Sequence, residues 1–137
     1  MADYKIKDIE GIGPAYAEKL AKAGVHTTGS LLDQACTPKG RKSLAEKTGI
    51  SESSILKWVN MSDLFRVKGI GSEYSELLEK AGVDTVKELR NRNSENLHAK
   101  MEAVNKAGKA LVRQLPSKSQ VEKWIQEAKK MEHKVTY

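Results

Sequence analysis

One segment of this chain occurs twice. Residues 9–31 recur as residues 67–89, at an offset of 58 positions, and both copies hold a Gly-Ile-Gly turn followed by an Ala-Gly-Val sequence. A second match, at an offset of 66, pairs residues 51–59 with residues 117–125 and aligns Trp58 with Trp124. The chain is therefore a duplicated unit whose second copy carries eight extra residues between the matched blocks, and its fold must contain the same order of elements twice.

The repeated segments have helical spacing and helical end signals. Tyr16, Leu20 and Ala23 recur at i, i+4 and i+7, which places them on one face of a short helix. Thr37 before Pro38, Ser51 and Ser117 are typical helix N-caps, and Gly49 is a typical stop. Because no stretch alternates with period two for the length of a strand, we predict an all-α fold.

The two copies divide near Met61–Ser62. Residues 1–61 form the first repeat and residues 62–137 form the second, with no Gly/Ser-rich linker between them. Each copy is near the lower size limit for an independent core, so the sequence predicts that both pack into one compact helical domain with pseudo-twofold symmetry.

The segment that most suggests chemistry is the hairpin at residues 9–14, with its counterpart at residues 67–72. Its glycines are expected where the turn needs unusual backbone angles or a close backbone approach. Pro14 suits the first helical position, and Ser72 is expected to cap the second helix. Backbone amides of the turn and of the helix that follows would form an anion site. The candidate contacts are Gly11, Ile12, Gly13, Gly69, Ile70 and Gly71.

The sequences IEGIGPAYAEKLAKAGV and VKGIGSEYSELLEKAGV resemble the helix-hairpin-helix family of nucleic-acid-binding proteins. The resemblance implies a tight reversal between two helices that grips the phosphates of one DNA strand through backbone amides, without reading sequence. It also implies that a monovalent cation can be held by hairpin carbonyls. Including TPKGRKSLAEKTGISESSILKWVN, the whole chain looks like an uncharacterised prokaryotic family of tandem helix-hairpin-helix proteins.

Charge distinguishes the two hairpins. The first is followed by Lys19 and Lys22, and members of the resembled family that bind DNA commonly keep a basic residue at the position of Lys19. In the second copy Leu77 occupies that position, and Glu73 and Glu76 lie nearby, although Lys68 precedes the turn. The sequence therefore favours the first hairpin for phosphate contact.

A net charge of +6 favours a polyanionic partner. The region of the second copy that contains the insertion is basic, with Lys100, Lys106, Lys109 and Arg113. We predict a non-enzymatic, largely sequence-independent DNA-binding module, with RNA binding and protein–protein docking as alternatives.

A second motif, Leu44–Val59, has the spacing of a helix-turn-helix that reads DNA, although any packed corner between two helices would show the same pattern.

Catalysis and metal binding find little support. The three histidines are scattered without metal-ligand spacing, and Cys36 is the only cysteine, which favours a reducing compartment. We expect no catalytic residue and no metal ligand. No apolar run approaches the length of a membrane span, so we expect a cytoplasmic protein without a membrane partner.

Overall fold

The computed structural model describes residues 4–9, 11–107 and 112–137. Eight α-helices and one short 3-10 turn, Ile6–Asp8, make up the regular structure of these residues. The helices are α1 (Pro14–Lys22), α2 (Thr28–Ala35), α3 (Pro38–Thr48), α4 (Glu52–Leu64), α5 (Ser72–Lys80), α6 (Val86–Arg90), α7 (Ser94–Ala107) and α8 (Lys118–Lys129). The prediction of an all-α fold is confirmed.

The four helices of each copy follow in the same order, so α1–α4 correspond to α5–α8. The predicted N-caps Thr37, Ser51 and Ser117 each accept a backbone N–H from the residue three positions on. Gly49 ends α3 with a φ of 74°, in the left-handed region that suits glycine. In each copy the second and third helices pack against the fourth, and α5 packs against α4 across the two copies.

Buried hydrophobic residues form two clusters rather than the single core expected from the small size of each copy. The first cluster includes Phe65 and Val135, which lie beyond residue 61, and the second cluster begins at Leu64 on α4. The boundary at Met61–Ser62 falls inside α4, so one continuous helix contributes to both clusters. The first copy thus completes its interior with two side chains of the second, whereas the second cluster is made of residues of the second copy alone.

A buried ion pair joins the end of α4 to the start of α6 and to the segment after α8. The Asp63 carboxylate lies 2.7 Å from the Arg66 guanidinium, and both side chains are almost fully buried. Its other oxygen accepts the backbone N–H of Val86 at 2.8 Å, at the start of α6. Arg66 also donates to the carbonyl of Glu132, 2.9 Å away. Removing one partner of such a pair typically costs about 3–5 kcal/mol, because the other charge stays buried.

The C-terminal residues after α8 return to the first copy. Val135 is fully buried in the first cluster, and the backbone of Thr136 makes two hydrogen bonds to residues at and after the corner between α2 and α3. The Thr136 N–H donates to the carbonyl of Cys36 at 2.8 Å, and its own carbonyl accepts from the buried Arg41 guanidinium at 2.6 Å. The tail therefore ties the end of the second copy to the middle of the first.

We predict that the chain unfolds in one transition and that residues 1–61 alone are poorly folded. The fragment lacks Phe65 and Val135, and so leaves its own cluster incomplete. Urea unfolding followed by circular dichroism and by tryptophan fluorescence should give coincident curves for the full chain. A well-dispersed NMR spectrum from the isolated fragment, or two separated transitions in the full chain, would overturn this expectation.

Candidate nucleic-acid interface

Both Gly-Ile-Gly segments form the same tight turn. The N–H of Ile12 donates to the carbonyl of Ile9, and that of Ile70 donates to the carbonyl of Val67, each at 3.1 Å. Gly11 and Gly69 occupy the third turn position with φ angles of 93° and 95°. A positive angle there is the mark of a type II turn and favours glycine. Ile12 and Ile70 are buried, so each anchors its turn to the cluster below.

The second glycine of each turn has a different role. Gly13 and Gly71 have φ angles of −85° and −104°, which any residue can adopt, so the expectation that they need unusual backbone angles is wrong. They are the N-cap residues of α1 and α5. A side chain at either position would meet nothing within 4 Å among the described atoms. The missing side chain therefore leaves open the approach to the first turn of each helix.

These two helices differ from the others in how they begin. In the part of the chain that the structure describes, α1 and α5 start without a side-chain cap, and Ser72 does not cap α5 as expected, since it is the first helical residue. The other six helices are capped by Thr27, Thr37, Ser51, Thr85, Asn93 and Ser117. The first helical backbone bonds are those of Ala17 to Gly13 and of Ser75 to Gly71. The amides of Ala15 and Tyr16 in α1, where Pro14 has no N–H, and those of residues 72–74 in α5 are therefore free to donate.

The two hairpins are entered differently. The second follows α4, so it is a reversal between two helices. The first is preceded, within the described residues, by the three-residue turn Ile6–Asp8. The second Gly-Ile-Gly turn therefore lies between two α-helices, α4 and α5, whereas the first lies between a 3-10 turn and α1.

A tryptophan lies beneath the first glycine of each turn, a contact that the sequence did not reveal. A Cβ atom on Gly11 would lie 3.7 Å from Nε1 of Trp58, and one on Gly69 would lie 3.1 Å from Nε1 of Trp124. Both indoles are buried. The sequence did contain one signal for this contact, because a tyrosine and a tryptophan recur together at matching positions of both copies. Tyr16 lies 5.2 Å from Trp58, and Tyr74 lies 5.3 Å from Trp124, centroid to centroid.

The first hairpin carries an open cationic helix. Lys19 is exposed, and its ammonium lies 5.9 Å from the centre of the Tyr16 ring, within the range of a cation–π contact. Lys22 is also exposed and lies 3.5 Å from the Glu18 carboxylate, two turns from the hairpin. No acidic residue occupies the first turn of α1. An anion approaching the amides after Gly13 therefore meets no carboxylate in that turn.

Packing explains why the second hairpin lacks the lysine. Leu77 is fully buried in the second cluster, where α5 packs against α7 and α4, whereas Lys19 at the corresponding position of α1 is exposed. Glu73 lies in the first turn of α5, close to the uncapped amides. Lys68 points elsewhere: it lines a cleft of about 530 Å³ together with residues of α8. The two hairpins thus present different charges to a ligand.

The insertion in the second copy is partly structural. Val112 is buried in the second cluster, and its backbone N–H and carbonyl both bond to the side chain of Asn105. Lys106 lies 3.2 Å from the Glu102 carboxylate on the exposed side of α7. Lys109 lies outside the described residues. The structure therefore assigns a packing role to part of the segment that the sequence marked only as basic.

Shifted pKa values occur away from the hairpin glycines. Burial raises the pKa of Asp84, opposed by a hydrogen bond from its own backbone, and burial also raises the pKa of Tyr137. A hydrogen bond from Ser94 lowers the pKa of the exposed Glu122.

Among the described residues, no group of three His, Cys, Asp or Glu side chains is arranged to hold a metal ion. None of the described helices combines the length and apolar character that a membrane span needs.

The two glycines of a turn should differ in their tolerance of alanine. Gly11→Ala should lower the free energy of unfolding by about 1–2 kcal/mol, because φ is positive there. Gly69→Ala should cost more, since its Cβ would press on Trp124. Gly13→Ala and Gly71→Ala should each cost less than about 1 kcal/mol, the difference between two weak N-caps. Urea denaturation measures the free energy of unfolding of all four variants. A loss in Gly13→Ala as large as that in Gly11→Ala would contradict the different roles assigned to the two glycines.

Comparison with known proteins gives a family and no relative of known activity. No curated protein matches the chain, and no solved structure matches it. The family model described as "Domain of unknown function (DUF4332)" matches residues 10–131, which include both hairpins and both tryptophans. The chain belongs to the DUF4332 family.

Proposed function

We propose that this protein is a non-enzymatic DNA-binding module that contacts phosphates through its Gly-Ile-Gly hairpins, in the manner of the helix-hairpin-helix proteins that it resembles. The observation that carries the proposal is the pair of uncapped helix starts at Gly13 and Gly71. Backbone amides hold phosphates without reference to base identity, so such contacts give little sequence preference.

The uncapped starts contrast with the rest of the fold. An N-cap side chain stabilises a helix by about 1 kcal/mol, and the six other helices have one. At Gly13 and Gly71 an acceptor from another molecule can reach the same amides, because no side chain stands in the way. The amides and the helix dipole together favour a phosphate at this place.

The first hairpin is the stronger candidate. The amides after Gly13 meet no acidic residue in their own turn, and Lys19 on the same helix is exposed. At the second hairpin Glu73 places a carboxylate beside the corresponding amides. Like charges a few ångströms apart offset part of the attraction that the amides and the dipole provide.

Fluorescence anisotropy with a labelled duplex tests DNA binding directly. We expect micromolar or weaker affinity at physiological salt, with little difference between sequences. If about 3–5 phosphates are neutralised, the logarithm of affinity should fall against the logarithm of salt with a slope of about −0.9 times that number. Lys19→Glu should reduce this slope by about 1. Lys47→Glu, the same charge change on an exposed residue of α3, is the control. Flat titrations at low salt would contradict the proposal.

Aspartate at the N-cap positions separates the amide site from general electrostatics. Gly13→Asp should keep or slightly raise the melting temperature, because aspartate caps the helix. It should weaken duplex binding about tenfold, since its carboxylate occupies the amides that the phosphate would use. Gly71→Asp makes the same change beside Glu73 and should weaken binding less. Equal losses from both variants would contradict the inequality of the hairpins.

Protein docking is the second candidate, and the acidic first turn of α5 favours it. Glu73 and Glu76 surround the second hairpin, where a DNA-binding surface would keep lysines. Titrations that stay flat for both duplex DNA and single-stranded RNA would transfer the assignment to docking, whereas tighter binding of RNA than of DNA would change the partner but keep the phosphate contact. A monovalent cation at the hairpin carbonyls stays a prediction.

A further inference from the structure

The cleft beside Lys68 is lined mainly by side chains that can donate hydrogen bonds. It lies between the second hairpin and the start of α8, and its volume is about 530 Å³. The lining residues are Lys68, Ser117, Ser119, Gln120, Lys123, Trp124 and Glu127. Two lysines against one carboxylate give the cleft a positive balance.

The indole of Trp124 supplies a donor without an acceptor. Trp124 is 2% exposed, and no hydrogen bond to its Nε1–H is found within the described residues, yet this nitrogen is not one of their fully buried polar atoms. It lies 3.1 Å from the point where a Cβ of Gly69 would stand, and the amide nitrogen of Gln120 lies 3.9 Å from the same point. Because the indole N–H is a donor only, it is open to an acceptor that enters the cleft.

The first copy offers a built-in comparison. Trp58 lies under Gly11 in the same way, but the sequence places Glu10 where the second copy has Lys68, and Ser54 where it has Gln120. Lys57, which aligns with Lys123, lies 4.0 Å from the Glu79 carboxylate. Among the residues that the structure describes, two lysines line a cleft beside Trp124, whereas the aligned Lys57 of the first copy lies near a carboxylate.

We propose that this cleft binds a phosphate group, which accepts a hydrogen bond from the indole of Trp124 and is neutralised by Lys68 and Lys123. A phosphate offers several acceptor oxygens and negative charge, which match a neutral donor flanked by two ammonium groups. The site is distinct from the amides after Gly13, and it rests on the proposed function only in taking the phosphate from a nucleic-acid strand. This site would give the second hairpin a phosphate contact even though Glu73 lies in the first turn of α5.

The two tryptophans give two indole N–H signals in a proton–nitrogen NMR spectrum, assigned through the backbone. Titration with inorganic phosphate, at an ionic strength held constant with sodium chloride, should move the signal of Trp124 saturably and leave that of Trp58 nearly fixed. Lys68→Glu and Lys123→Gln should weaken this response about tenfold, the effect of losing a charged hydrogen-bond partner. Lys57→Gln is the matched control and should leave it unchanged.

A parallel titration with a short duplex identifies the source of the phosphate. Movement of the Trp124 signal with duplex extends the DNA contact to this cleft, whereas movement with inorganic phosphate but not with duplex supports a site for a free phosphate or small phosphate ester. If anisotropy shows duplex binding while neither ligand moves Trp124 more than Trp58, the cleft proposal is wrong and the proposed function stands. If phosphate moves Trp124 and anisotropy stays flat, the proposed function fails and the cleft site stands.

Discussion

The contact between a hairpin glycine and a buried indole determines where both turns lie. Gly11 and Gly69 have positive φ angles and no side chain, so each turn can rest directly on the indole nitrogen below it. Each indole also packs on a tyrosine of the following helix, a ring contact that contributes about 0.5–1.5 kcal/mol beyond the area buried. Turn, helix start and tryptophan thus pack together as one unit, which occurs once in each copy and has a helix start without a side-chain cap.

Duplication explains the similarity of these units, and core packing explains their differences. Helix α5 packs against α7 and α4, and its Leu77 is fully buried in the second cluster. The same face of α1 is exposed, which lets Lys19 reach solvent beside Tyr16. A difference that looks in the sequence like the loss of a binding residue is therefore the result of core packing. The charge beside each hairpin therefore follows from whether the core covers this position of the helix, as it does at Leu77 and not at Lys19.

Local features were predictable from sequence, and long-range features were not. Thr37, Ser51 and Ser117 act on amides three residues away, so each helix start could be inferred from a few neighbours. The sequence Gly-Ile-Gly does not indicate which glycine takes the third turn position, so it predicts unusual backbone angles for both. The structure has a positive φ angle at Gly11 and Gly69 only within these turns. The indole under each turn comes from a helix more than 40 residues along the chain, and Val135 enters the first cluster from the opposite end. Such contacts leave no periodic or capping signal in the local sequence.

The account depends most on the amides after Gly13 meeting phosphate oxygens. Backbone proton–nitrogen NMR of the full chain, titrated with a short DNA duplex, observes those amides one by one. Saturable shifts of the Ala15 and Tyr16 amide signals, larger than those of Glu73 and Tyr74, are the predicted result. Duplex binding that shifts lysine-bearing helices while leaving Ala15 and Tyr16 unmoved would show that the protein holds DNA by another surface, and would contradict the account.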